Sequence, residues 1–431
     1  MFGALFFKEC KLTVKSLAYW AYVICLVLFF ASQLGESDWS LPKPLPGHEG
    51  EYGYTYSTDE ATVMGKTVKR LTEDYAQNSY AAYPLGFYKR VSLGEDEKAQ
   101  MGEILSELTG RSREELEQLG YDYINEESAF YERMSGDGID MEMVAPPVFD
   151  LEVGPPEEVS FERFLELMDQ ADDLIGGGSM YMSARLKNGV QVPQTYEGAL
   201  AEYEDIVEKD RYSGAFARLF CDYMGLMAAI LPVFPVVART LKDRRSKASA
   251  ALYSKRSSSA CILLARYLAL LVLSMVPILI LAGIAQVQCS QAAMTAGLSA
   301  DSFAFLKYVG GWIFPAASFS VAVGLLVSEL TGSVAAVLVQ GIFWFAGVFQ
   351  SIDTLVGNFG LKFIPRFNSL GDTVIFEREF LSLVGNRIFY GVLSLAFVAA
   401  AVIVYDWKRK GGGINFGGLR EHKQSLPEAS F

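Results

Sequence analysis

The sequence predicts an all-α polytopic membrane protein with six transmembrane helices. A mainly helical extracellular domain, with α+β structure as its alternative, is expected between helices 1 and 2. Three observations predict this class. Mean hydropathy is +0.22 over 431 residues although 20 % of them are charged, which sets a long apolar part beside a polar one. Six windows of about transmembrane length are almost free of charge. Charge also divides sharply along the chain. Residues 36–213 hold 38 acids and 15 bases, net −23, whereas the remainder holds 12 acids and 22 bases, net +10, so the two parts face different solvents.

Residues 1–15, MFGALFFKECKLTVK, read as a cytoplasmic amphipathic helix on the membrane surface, with Phe2, Leu5 and Phe6 among the headgroups and its lysines outward. The first span occupies 16–35. Lysines precede it as they precede a signal peptide, but its apolar core is longer than a usual leader and no small-x-small site lies before Glu36, so it reads as a retained anchor. The second span covers 214–238 and a basic inner loop 239–259. The other four lie within 260–405, at Ala260–Ala285, Phe303–Val327, Ser333–Gln350 and Ile388–Tyr405, followed by a tail at 406–431. Fifteen lysines and arginines flank the first span, fill the 239–256 loop or follow the last span, against Lys362, Arg366 and Arg378 in the opposite short loops. That asymmetry places both termini in the cytoplasm and residues 36–213 outside, with the Ser328–Gly332 link turning inside.

Charges at span ends need an account. Arg218, Arg266, Lys307 and Arg387 are expected to extend to the nearest interface. Asp222 lies two turns into the second span, where a carboxylate needs a partner or water. Arg218, four residues earlier, shares its helix face, and the two are read as a candidate polar path. Pro232 and Pro235 should bend the same span, as Pro277 and Pro315 should bend the next two.

In the outer segment, Ser92 with Glu95 and Ser112 with Glu115 have capping-box spacing ahead of two helices. SFERFLELMDQADDLIGGG is apolar at helical spacing and ends in a glycine run suited to a helix stop. YPLGFYKRV and MYMSARLKNGVQV are candidate strands, the latter turning at Asn188-Gly189, and TYEGALAEYEDIVEKD reads as a helix leading to the second span. Asp169, Asp172 and Asp173 on adjacent turns read as a solvated helix face. The many tyrosines read as packing or interface residues. The segment holds no cysteine and no Asn-x-Ser/Thr acceptor, which fits a bacterial cell membrane.

Enzyme chemistry lacks parts. His48 and His422 are the only histidines, so neither a zinc His-x-x-Glu-His site nor a His-based triad is available, and no catalytic, cofactor-binding or metal residue is assigned. Gly65-Lys66-Thr67 ends like a P-loop, but Glu60 stands where the first glycine belongs. An acidic outer segment argues against nucleic acid as a partner. The chain is read as no enzyme by itself, and any energy input must come from elsewhere.

The stretch from Ala238, ARTLKDRRSKASAALYSKRSSSACILLARYLALLVL, joins a basic strip to small and apolar residues and enters the third span. With Arg239, Lys242-Asp243-Arg244 and Leu252-Tyr253-Ser254 before a serine-rich entry, it resembles the coupling segment of the permease subunits of ATP-binding-cassette exporters, the ABC type-2 permeases. That resemblance implies six spans and an inner loop docking on a separate ATPase subunit through Arg239, Lys242, Asp243, Arg244, Arg245, Leu252 and Tyr253. It also implies ATP and Mg on that partner, and a second permease copy or a sister permease beside this one in membrane lipid. Residues 351–386 resemble the family's partly re-entrant outer hairpin, in which Gly360, Pro365 and Gly371 must be covered by protein or water. The substrate path would lie between the second and fifth spans of paired copies. The alternative is a non-transporting membrane receptor or surface-interaction protein that uses the outer domain. The topology has a direct check: in a cysteine-free background, Asp96→Cys is expected to react with an impermeant thiol reagent on intact cells, and Lys247→Cys only after permeabilisation.

Overall fold

The computed structural model describes residues 2–37, 39–48, 50–84, 88–134, 159–245, 257–351 and 356–411. The chain divides into two compact units, one of residues 1–44 with 200–431 and one of residues 45–199. The first unit begins with helix α1 (Phe2–Val14) and α2 (Leu17–Leu34). Ser16 separates them: its hydroxyl donates to the Thr13 carbonyl at 2.8 Å and accepts from the Tyr19 amide at 3.3 Å, capping α2.

The second unit runs β1 (Tyr54–Ser57), α3 (Glu60–Gln77), β2 (Tyr80–Ala82), β3 (Lys89–Val91), α4 (Glu95–Thr109), α5 (Arg113–Met134), α6 (Phe161–Ile175), α7 (Ser183–Leu186) and β4 (Val190–Pro193). Two antiparallel ribbons, β1 with β4 and β2 with β3, flank a helical core. Val68 and Leu71 of α3, Met101 and Leu105 of α4, Leu116 of α5 and Phe164 and Met168 of α6 are fully enclosed there.

The Ser112 and Glu115 capping box forms as expected, with Ser112 N–H donating to Glu115 Oε2 at 3.0 Å and Glu115 N–H to Ser112 Oγ at 3.3 Å. The first box does not form on Ser92. Leu93 is buried, and the Asn78 amide holds both its N–H (2.9 Å) and its carbonyl (3.0 Å), so α4 starts two residues later with Glu97 accepting from the Gly94 amide. Residues 183–187 also depart from the expected strand: they make a helical turn, and only 190–193 extend, pairing with β1. Gly189 allows this because φ is +95° and a Cβ there would stand 2.6 Å from the Ser57 carbonyl. Asp172 is no solvated residue. It is buried and accepts from the Ser179 amide at 2.6 Å, while Asp169 accepts from Ser183 at 2.8 Å, so both tie down the chain after the Gly176 stop. Among the described residues no group of three His, Cys, Asp or Glu could hold a metal. Gly65-Lys66-Thr67 lies inside α3 rather than in a phosphate-binding loop.

The first unit resumes with α8 (Tyr196–Glu208), α9 (Ser213–Ala228), α10 (Val233–Arg245), α11 (Ser259–Thr295) and α12 (Ala304–Tyr308). A π-helical turn (Val309–Ile313), α13 (Phe314–Thr331), α14 (Ala335–Phe349) and α15 (Thr373–Arg409) complete it. Five stretches are long and apolar enough to cross a membrane: Leu17–Leu34, Ser213–Asp243, Ser259–Thr295, Ala304–Thr331 and Thr373–Arg409. Several such helices make this a multi-pass membrane protein. The fifth expected span is the shorter α14, 15 residues long, which at 1.5 Å per residue reaches only about 22 Å.

Backbone groups beside Pro232, Pro235 and Pro277 are met by a neighbouring helix, and Pro277 lies inside an unbroken α11. Pro232 and Pro235 interrupt the second span between α9 and α10, where Val233 N–H turns to the Ile230 carbonyl and Ile230 N–H to the Met227 carbonyl. The carbonyls so released at Ala229 and Leu226 accept from Gln340 Nε2 and from Trp344 Nε1 (2.9 Å), one turn apart on α14. Pro277 cannot donate to Leu273; Tyr19 and Tyr22 of α2 instead donate their hydroxyls to the Leu273 and Ser274 carbonyls. Small residues let helices approach: a Cβ on Gly324 would stand 3.0–3.2 Å from Val236 and Val233, and one on Gly347 3.1 Å from Ile364.

In the second unit, burial raises the pKa of Asp74, offset in part by the Tyr181 hydroxyl that donates to it at 2.6 Å and by Arg70. A raised folded pKa means stability is fullest below the ordinary carboxylate range and falls as pH climbs through the raised value. Asp74→Asn keeps an acceptor without the charge. Its melting temperature should match the parent under acidic conditions and exceed it increasingly toward neutral pH.

Candidate functional site

Charged side chains gather at the two ends of the helical unit. At one end, Glu9 of α1, Arg239 and Asp243 of α10, Arg266 of α11 and Glu329 of α13 form a buried network. Arg239 Nε lies 2.7 Å from Glu9 and its Nη1 2.6 Å from Asp243, one turn on along α10. Arg266 reaches Asp243, lies 3.4 Å from Glu9, and stands 3.6 Å from Glu329. Lys408 of α15 donates to the Glu329 and Leu330 carbonyls, Ser259 donates to Asp406 at 2.7 Å, and Arg409 donates to the Ser257 carbonyl at 2.6 Å. The N-terminal helix, both ends of the 246–256 segment, the 328–332 link and the start of the tail therefore meet at one end of the unit.

At the other end a hairpin between α14 and α15 folds back among the helices. Its described backbone is held by side chains at several points. Asp222 of α9 takes Arg366 in a two-pronged pair, 2.8 Å on each oxygen, and accepts the Phe367 amide at 2.6 Å. Ser351 donates to the Ile364 carbonyl at 2.7 Å, and Asn386 to the Gly360 and Lys362 carbonyls at 2.8 Å each. Tyr390 donates to Leu361 at 2.9 Å, and Arg387 to Phe363 at 3.1 Å. Arg218 pairs with Asp210, donates to the Leu370 and Gly371 carbonyls at 3.2 and 3.3 Å, and lies 4.8 Å over the Phe376 ring. Gly360, Pro365 and Gly371 thus lie in a segment several of whose backbone carbonyls accept from protein side chains.

Arg218 and Asp222 share one helix face but do not pair; each is claimed by a residue far away in sequence. Arg218, Arg266 and Arg387 do not extend to solvent: all three are buried against polar groups, because an internal carboxylate or carbonyl lies nearer than water. Lys307 is exposed and pairs with Asp301 at 2.6 Å. Of the expected coupling residues, Arg239 and Asp243 are brought together in the network and Lys242 is exposed. Arg244 and Arg245 close α10, and Leu252 and Tyr253 lie outside the described residues. Sequence reasoning missed Glu9, Asp210, Glu329 and Arg366. Each is a charge inside or beside an apolar stretch, which is the signal that marks a buried partner.

Compared with known proteins, the chain matches no family model, no curated protein and no solved structure.

The Asp222 pair can be weighed directly. Asp222→Ala leaves the Arg366 charge and the Phe367 amide without their acceptor and should cost about 3–5 kcal/mol. Asp222→Leu combined with Arg366→Met should cost clearly less, both read as thermal or denaturant midpoints of the purified protein.

Proposed function

We propose that this chain is the transmembrane permease subunit of an ATP-binding-cassette exporter, moving a peptide, lipid or drug-like substrate. A separate ATPase subunit, carrying ATP and Mg, drives it. In this reading the chain crosses a bacterial cell membrane six times, α14 together with the hairpin making the fifth passage, with both termini cytoplasmic and residues 36–213 outside. A second copy or a sister permease completes the pump, and the seam of Val334, Leu338, Ile342 and Phe345 along α14 offers an apolar face for it.

The observation that carries the proposal is the network at the base of the 246–256 segment. A loop that receives force from a motor must be joined stiffly to what it moves. Arg239 and Asp243 join its entry to α1, and Arg266, two turns into α11, ties its exit to the same carboxylates. Glu329 extends the connection to the end of α13. A push on the segment is then shared among helices α1, α10, α11 and α13, and ATP binding need only favour one arrangement of this network over another to switch access. Lys242, exposed on α10, is available for the partner.

The experiment is co-purification from native membranes. An ATPase subunit should accompany the wild-type chain, and Lys242→Glu with Arg244→Glu and Arg245→Glu should reduce its recovery several-fold while the melting temperature holds. A native complex without an ATPase, or the triple variant retaining it in full, overturns the proposal.

A further inference from the structure

Four described arginines are buried: Arg218, Arg239, Arg266 and Arg387. Three of them have a carboxylate in contact, namely Asp210, Glu9 with Asp243, and Asp243 with Glu9. Arg387 has none among the described residues. Its partners are neutral: the Asn386 side chain, the carbonyls of Trp312, Lys362 and Phe363, and the Tyr390 ring 5.5 Å from its guanidinium carbon. Nη1 makes one long contact, 3.3 Å to the Trp312 carbonyl, and no second acceptor among the described residues takes its other hydrogen. A guanidinium enclosed to this degree with only dipoles and one aromatic ring around it is costly unless an anion completes its shell.

Arg387 also lines a cleft. The cleft has a volume of about 310 Å³, at the small end for ligand sites, and is bounded by α12, the π-helical turn and α15. Its wall is almost wholly apolar, with Gly311, Trp312, Phe376 and Leu383 facing it, and Lys307 stands beside its outer part with its charge shared with Asp301. The π-helical turn that precedes Pro315 brings Gly311 to this wall, where a Cβ would meet open space. Phe376, Phe380, Leu383, Val384 and Arg387 form one face of α15, while Glu377 and Glu379 fall to either side of it. Arg387 precedes Lys408 by 21 residues, about 31 Å along α15, and Ile388, Val392, Leu395 and Ile403 between them are exposed. One hydrocarbon thickness therefore separates Arg387 from the network at the other end, which sets it at headgroup level.

We propose that this cleft is a binding site for one acidic membrane lipid, its phosphodiester completing the Arg387 shell and part of one acyl chain lying against Trp312, Phe376 and Leu383. The occupant is an anion because the site supplies a cation without a counter-ion among the described residues, and an amphiphile because, Lys307 and Tyr308 apart, the rest of the wall is apolar. The site requires only that the chain sit in a membrane; it does not depend on an ATPase.

The test uses the full chain in neutral detergent, supplied with phosphatidylglycerol or with phosphatidylcholine of the same acyl chains, and reads bound lipid by native mass spectrometry. One phosphatidylglycerol should remain per chain, favoured over phosphatidylcholine by roughly tenfold, the worth of one charge-assisted hydrogen bond. Gly311→Leu should fill the cleft and abolish retention without touching any Arg387 partner, and Arg387→Gln should erase the preference between headgroups. Leu383→Trp occludes the same space and replaces Gly311→Leu if that variant melts below the parent. Equal retention of the two lipids, retention unchanged by the cleft-filling variant, or a dimer that occupies the cleft and excludes phosphatidylglycerol would overturn the assignment.

Discussion

An apolar bundle gives a released carbonyl no water to turn to, and that constraint organises the helical unit. Among the described residues, backbone groups at three interruptions are met by side chains from elsewhere. Gln340 and Trp344 serve the break at Pro232 and Pro235, Tyr19 and Tyr22 the carbonyls beside Pro277, and Asp222, Ser351, Asn386, Arg387 and Tyr390 the hairpin. The donors come from distant helices, so each repair is also a tertiary contact. A bundle held this way keeps irregular backbone deep inside without exposing it to lipid.

The same logic governs charge. Arg218, Arg239, Arg266 and Arg387 do not reach outward, because a nearer polar group lies within. Two charged assemblies result, one at each end of the helical unit. One gathers Glu9, Arg239, Asp243, Arg266 and Glu329 from four helices. The other, built on Asp210, Arg218, Asp222 and Arg366, holds the hairpin in register with α9. Arg387 stands apart from both, with carbonyls where the others have carboxylates, and this difference sets the cleft beside it apart from an ordinary groove between helices.

Much of the architecture is legible in the residue pattern. Long runs without charge mark helices directly, since a helix in lipid must be apolar over about twenty residues wherever its neighbours lie. The acidic insert, the glycine stop after Ile175 and the Ser112 cap were local features and formed as local features do. Where tertiary contacts compete, the pattern misleads. Leu93 buries itself and moves the start of α4 past Ser92, and β4 pairs with a strand more than a hundred residues away rather than with its own neighbour. Asp172, one of three acids on a helix, turns inward because the glycine loop beside it has amides to satisfy.

Composition, charge asymmetry and proline position by themselves determined that this protein threads a membrane, carries an acidic insert and breaks its second span at Pro232, because each of these depends on a residue and its immediate neighbours. Only the tertiary structure decided which charge meets which. Arg218 and Asp222 stand one turn apart and would pair in isolation, yet Asp210 and Arg366 take them, because partners in a dry interior are chosen by three-dimensional reach and by the backbone groups left to satisfy, neither of which spacing along a helix records.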